Sequence, residues 1–143
     1  MSGISLFLKR NKIQKQNAKY AVTKTLCDEN GKPLEWEIRA ISTMENEKLR
    51  EACTVEVQVP GKPNLYRPRM LGGKYVASLL AASVVYPDLQ NAELQDSYGA
   101  MNPEELIQLM VDDPVEYNAF AEFVQNFSGL ETSMQEKIDE AKN

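Results

Sequence analysis

The sequence contains no histidine. That absence removes the commonest general base and the commonest transition-metal ligand from any chemistry the chain could perform. Only two cysteines are present, Cys27 and Cys53, and they form no CxxC pair. They can build neither a disulfide framework nor a thiolate zinc site, and Cys27 lacks the imidazole partner that activates a nucleophilic thiol. Long apolar runs are missing too. The longest candidate, Val76 to Tyr86, is well short of the roughly 20 residues that span a bilayer. At the N-terminus the apolar MSGISLFL comes before the basic residues, the reverse of the order in a signal peptide. The expectation is a cytoplasmic chain with no catalytic residues, no metal, no cofactor and no membrane partner.

Each end of the chain is also poor in charge of one sign. Residues 1–27 hold six cations and no acid, whereas residues 88–143 carry thirteen acids against Lys137 and Lys142. The middle, residues 28–87, balances eight against eight, and the whole chain has a net charge of −5. A basic start can mark a nucleic-acid arm. Here amides and apolar residues interrupt the cations and no basic helix follows, so a solvated face is expected and nucleic acid is not an expected partner.

What is present is the composition of a folded protein. Hydrophobic residues make up 43% of the 143, ordinary for a globular chain and enough to expect a single domain spanning residues 1–143. Ile4 to Lys12 has the spacing of a short amphipathic helix. Tyr20 to Leu26 alternates as a strand, Asp28-Glu29-Asn30-Gly31-Lys32-Pro33 turns the chain through an Asn-Gly pair, and Leu34 to Ile41 returns with Trp36, Ile38 and Ala40 on one face. Ser42-Thr43-Met44-Glu45 fits a capping box opening a helix of about ten residues. Cys53 to Val59 alternates again, and Leu65 to Met70 pairs back on an edge that Pro68 restricts. The first part, residues 1–71, thus predicts a ββαββ unit: a small antiparallel sheet with a helix on it.

From Gly72-Gly73 to residue 143 the pattern is helical. Tyr75, Val76, Leu79, Leu80, Ser83 and Val84 share one stripe, stopped by Pro87. Leu89, Leu94 and Tyr98 mark a link with at most one helical turn. Asn102-Pro103-Glu104-Glu105 opens a further helix, Asp112 or Asp113 before Pro114 restarts one, and Tyr117, Phe120, Phe123, Val124 and Phe127 recur at three- and four-residue steps up to Gly129. Leu130, Met134, Ile138 and Ala141 make a thinner stripe in a final charged helix expected to fray over 130–143. The fold class predicted is α+β, a β-rich first half followed by a helical second half.

The remaining chemical signals have structural uses. Leu71-Gly72-Gly73-Lys74-Tyr75 has Pro68 where a phosphate loop needs glycine and Tyr75 where it needs a hydroxyl of Ser or Thr, so the glycines read as a bend into a helix. Glu104-Glu105 and Asp112-Asp113 sit at helix starts, where the dipole favours them. Asp28-Glu29-Asn30-Gly31 lacks the ligand alternation and closing Glu of a calcium loop. That leaves surface for protein partners. Tyr75, Leu79, Tyr98, Met110, Tyr117, Phe120, Phe123 and Phe127 are the candidate partner-binding residues, with core packing the competing use of the same stripes.

Three stretches carry a family resemblance: MSGISLFLKRNKIQKQNAKYAVTKTLCDENGKPLEWEIRAIS, LGGKYVASLLAASVVYPDLQNAELQDSYG and NPEELIQLMV. The chain resembles the phage XkdN-like tail assembly chaperones over roughly residues 1–130, most specifically from Val84 to Gly99. Trp36, Tyr75, Pro87, Leu94, Tyr98 and Gly99 match by residue type and are expected to bear the fold. The resemblance implies a non-catalytic chaperone, encoded by a tailed phage or prophage, that binds the tape measure protein and recruits tail tube protein around it. Self-association is a further expected mode. A structural tail component, in the tail completion region or the baseplate, is the rival reading.

Overall fold

The computed structural model describes residues 3–130, so Met134, Ile138 and Ala141 of the last stripe lie outside the described residues. The turn at Asn30-Gly31 forms because Asp28 Oδ1 accepts the amides of Asn30 at 2.8 Å and Lys32 at 3.0 Å, while Gly31 takes a φ of +81°. At the tip of this hairpin the Leu34 amide donates to the Leu26 carbonyl at 2.8 Å. At its base, strand β1 (Ala18–Tyr20) pairs with β2 (Trp36–Ile38), Ala18 opposite Ile38 and Tyr20 opposite Trp36. Between base and tip, residues 21–25 face Glu35 alone, so the continuous strand expected from Tyr20 to Leu26 is broken by a wide bulge. The bulge buries Val22 and Thr23, and a tertiary partner described below holds it there.

Helix α1 (Thr43–Ala52) begins with the expected capping box: Ser42 Oγ accepts the Glu45 amide at 3.2 Å and Glu45 Oε1 accepts the Ser42 amide at 3.4 Å. Strands β3 (Thr54–Val59) and β4 (Lys62–Met70) then pair with each other. The ββαββ order stands, but the four strands do not share one sheet; β3 and β4 form a separate two-stranded sheet. The reason is composition. Val55, Val57 and Val59 line one face of β3, but Arg69 and Arg67 stand opposite Val55 and Val57 on β4, so the hairpin as a whole has no continuous apolar face to bury and stays largely exposed. Pro68 sits inside β4 opposite Glu56, where an edge strand tolerates its missing donor.

The third strand of the main sheet comes from a segment expected to be helical. Helix α2 (Gly72–Ser83) stops at Ser83, and Val84–Tyr86 continues as β5 along the free edge of β2, giving the order β1-β2-β5. Two consecutive β-branched residues followed by Tyr suit a strand better than a helix end. The Tyr86–Pro87 peptide bond is cis. Helix α3 (Ala92–Tyr98) is longer than the single turn expected, because Asn91 Oδ1 caps the Leu94 amide at 2.9 Å and Gly99 closes the helix at a φ of +71°. Helices α4 (Pro103–Met110) and α5 (Pro114–Ser128) start as expected, Asn102 capping the Glu105 amide and Asp113 the Val115 amide.

These elements meet in one core. Trp36 and Ile38 face Leu79 and Leu80 of α2, Leu106 and Ile107 of α4, and Phe120 and Val124 of α5, all fully buried. The fold is α+β, with antiparallel sheets in the first half and helices dominating the second. One element departs altogether. Instead of an amphipathic helix, residues 3–11 form two 3-10 turns, Gly3–Phe7 and Lys9–Asn11, whose apolar side chains join no core. A helix of nine residues with no surface to pack on is marginal in water.

Two predictions follow from the core and the α1 cap. Phe120→Ala leaves a cavity beneath Trp36 and costs about 3–5 kcal/mol of unfolding free energy, measurable by urea titration. Arg39 grips Glu45 through two hydrogen bonds of 2.9 and 2.5 Å and holds its carboxyl at about 2, well below the ordinary range. A lowered pKa stabilises the fold above the unfolded value and is lost as pH falls towards 2. Glu45→Gln therefore flattens the decline of the urea midpoint between about pH 5 and 2; because the pair is over a third exposed, the effect stays below about 1 kcal/mol.

Candidate partner-binding surface

Phe120, Phe123 and Phe127 of helix α5 recur at three- and four-residue steps, and Tyr20 of β1 supplies a fourth ring. Tyr20 stacks on Phe120 at 5.8 Å and on Phe123 at 4.2 Å, with planes within 15° of parallel. Phe123 continues to Phe127 at 5.7 Å and 8°, while Trp36 meets Phe120 edge-on at 6.1 Å. The ladder begins in the core at Phe120 and walks outward to half-buried Phe123 and Phe127. At its outer end the Lys15 ammonium lies 4.3 Å from the Phe127 ring centroid and also donates to the Phe127 carbonyl. A cation over an aromatic face is attracted by the ring quadrupole. Burial raises the Tyr20 phenol above its ordinary range, and the carboxylates of Glu116 and Glu122 add to the rise. Beside it, Glu37 accepts from Asn17 at 2.9 Å and Lys19 at 3.2 Å, which lowers its carboxyl.

Glu116 fixes the strand bulge to the start of α5. Thr23 Oγ donates to Glu116 Oε1 at 2.8 Å, and the Lys24 amide donates to Oε2 at 2.8 Å. A carboxylate near a helix N-terminus thereby satisfies two donors from a loop more than 90 residues away in sequence. At the Trp36 end of β2 lies a second feature, an apolar pocket of about 240 Å³. Leu34, Trp36, Pro87, Leu94, Tyr98 and Met110 are among its walls, with Glu35 at its edge.

The eight candidate residues divide between core and surface. Tyr75, Leu79, Met110 and Phe120 are buried, Tyr75 through a hydrogen bond from its hydroxyl to Asn46 Oδ1. Tyr98, Tyr117, Phe123 and Phe127 are half-buried and present part of each ring to solvent. Burial raises the Tyr117 phenol, with the Gln108 side chain opposing the rise. Phe123 and Phe127 come together on the ladder, and Tyr98 and Met110 meet at the pocket. The sequence pattern overlooked Tyr20, Lys15 and Leu34, whose neighbours are remote in sequence; alternation in a strand gives no signal for which helix will cover it. Of the positions expected to bear the fold, Trp36 and Tyr75 are core, Leu94 and Tyr98 pack against it, and Gly99 supplies the left-handed cap.

Asp28, Asp113, the Asn102 amide and both thiols have structural partners. Asp28, Asp113 and Asn102 close turns or caps; Cys53 is buried 3.9 Å from Ser78 Oγ, and Cys27 donates to the Lys24 carbonyl. Among the described residues no group of three acidic, cysteine or histidine side chains is placed to share a metal ion, and no helix is long and apolar enough to cross a membrane. Because Phe123 is only half-buried, Phe123→Ala costs about 1–2 kcal/mol in a urea titration, less than the loss at Phe120, most of it from the two stacked neighbours and the area they cover.

Comparison with known proteins matches residues 4–142 to the phage XkdN-like tail assembly chaperone protein family, TAC. The chain is 21% identical to the phage-like element PBSX protein XkdN of Bacillus subtilis strain 168 over 140 residues, covering 98% of this chain and 93% of that protein. It is 20% identical to the uncharacterised protein YqbN of the same strain, with the same coverage. The crystal structure of YqbN superposes with a TM-score of 0.73 at 18% identity, covering 90% of this chain and 98% of that one, so the fold is shared. With a match that runs almost from end to end, the chain belongs to the phage XkdN-like tail assembly chaperone family.

Proposed function

We propose that this protein acts in the host cytoplasm as a non-catalytic chaperone of tail assembly, binding the tape measure protein and helping to recruit tail tube subunits to it. The family match supports the tail-assembly role. The observation that supports a protein-binding mechanism is the aromatic ladder Tyr20–Phe123–Phe127, flat rings half open to solvent and anchored in the core. Aromatic residues are over-represented among the residues that dominate binding energy, and an amphipathic helix of the partner meets such a face with its apolar side. The acidic helices flanking the ladder keep the complex soluble and disfavour irreversible aggregation.

Co-expression with the tape measure protein of the same phage or prophage tests the reading. The two are expected to copurify, and the soluble yield of the tape measure protein is expected to rise; failure of both overturns the proposal. The double variant Phe123→Ala, Phe127→Ala is expected to weaken copurification while its circular dichroism spectrum stays native. Finding the chain as a stoichiometric component of purified mature particles, by mass spectrometry, would instead make it a structural tail protein.

A further inference from the structure

The hairpin of β3 and β4 stands apart from the core, most of its residues exposed, and its two outer edges are unlike. The Leu71 amide donates to the Cys53 carbonyl at 2.8 Å, which makes these two residues a hydrogen-bonded pair at the base of the ladder. In an antiparallel ladder such pairs alternate with non-hydrogen-bonded ones. The register then leaves Thr54 opposite Met70, Glu56 opposite Pro68 and Gln58 opposite Tyr66 as non-hydrogen-bonded pairs. The backbone N–H and C=O of Thr54, Glu56 and Gln58 therefore point away from β4. On β4 the same alternation turns Pro68 outward, where it has no N–H to offer, and Lys62 and Pro63 occupy the start of that strand. Proline and lysine are the residues that guard an edge against pairing. β3 has neither. Its run Thr-Val-Glu-Val-Gln-Val is rich in β-branched residues, and β4 is its one neighbour among the described strands.

We infer that the outer edge of β3 takes an extended segment of a partner protein as a third strand, bonded through the backbones of Thr54, Glu56 and Gln58. The side chains define the chemistry of that segment. Val55, Val57 and Val59 lie on one face of β3, so the incoming strand is apolar at alternate positions on that face. Glu56 stands on the other face opposite Pro68 and makes no ion pair among the described residues. A lysine or arginine of the partner beside it completes a cross-strand pair of opposite charge. The same carboxylate argues against a second copy as the occupant. Only outward-facing backbones can bond along this edge, so two β3 strands aligned antiparallel over their full length set Glu56 against Glu56. Like charges directly opposite each other destabilise a ladder. The site lies on the second sheet, apart from the aromatic ladder, and takes a strand where the ladder suits a helix.

Amide chemical shifts and hydrogen exchange, followed by NMR on the full chain with two synthetic peptides as probes, test the inference. One peptide alternates valine with threonine around a central lysine, and the other has glutamate in place of the lysine. With the lysine peptide, the Thr54, Glu56 and Gln58 amides are expected to shift and to gain protection from exchange. The glutamate peptide is expected to bind roughly three- to tenfold more weakly, and Glu56→Lys is expected to reverse the order of the two. Gln58→Pro removes one outward N–H and leaves the bonds to β4 in place, as Pro68 does on the opposite strand. It is expected to weaken both peptides while the circular dichroism spectrum stays native. Absence of protection at the three amides with the lysine peptide at millimolar concentration overturns the inference. So does equal binding of the two peptides, or an unchanged preference in Glu56→Lys. Protection of the same amides in the free chain overturns it as well, assigning the edge to a second copy if it fades on dilution and to residues 131–143 of the chain itself if it persists.

Discussion

Among the described residues β2 is the one strand paired along both edges, and its two inward side chains, Trp36 and Ile38, are the largest obligation the fold has to meet. Three residues of strand cannot hold a tryptophan out of water unaided. Helices α2, α4 and α5 close over it, and Phe120 is the contact through which α5 does so, edge-on to Trp36. The hydrophobic contribution of burying two such rings, roughly 1.5–3 kcal/mol each, outweighs that of any single ion pair on the surface. Placing α5 by Phe120 has a geometric consequence. The next ring positions on the same helix, Phe123 and Phe127, are carried to the edge of the sheet, where Tyr20 covers Phe123 and Lys15 lies over Phe127.

The bulge at residues 21–25 follows from the same constraint. Were β1 to continue in register to Leu26, Thr23 would point to the face opposite Tyr20 and could not reach α5. Breaking the pairing lets Thr23 be buried beside Val22, and Glu116 replaces lost strand hydrogen bonds with two charge-assisted ones. The exchange is favourable because the carboxylate sits near the start of α5, where the helix dipole already stabilises it. An irregular strand in one half of the sequence is thus explained by a side chain in the other.

Local chemistry was legible in the sequence wherever the partner lies within a few residues. The capping box at Ser42, the Asn102-Pro103 and Asp113-Pro114 helix starts and the Asn30-Gly31 turn all formed where side-chain chemistry placed them. Long-range pairing was not legible. Val84 to Tyr86 extends a helical stripe by its spacing, and only the free edge of β2 makes it a strand. The two hairpins share the same alternation, yet one has a tryptophan to bury and the other has charges at intervals, and that difference in composition separates the sheets. The candidate surface divides in the same manner. Spacing identified which aromatic residues share the α5 stripe, but the rotation of that helix about Phe120 decided which are core and which are open.

The aromatic ladder and the N-terminal turns differ in how much order is already in place. The ladder is an outward extension of the core, its rings fixed by stacking, so a partner that lies on it pays little to immobilise the protein side. The N-terminal turns have no buried side chain, so whatever they contact must supply their ordering. A rigid apolar face, its geometry set by Phe120 before any partner arrives, favours a partner that brings a helix of its own.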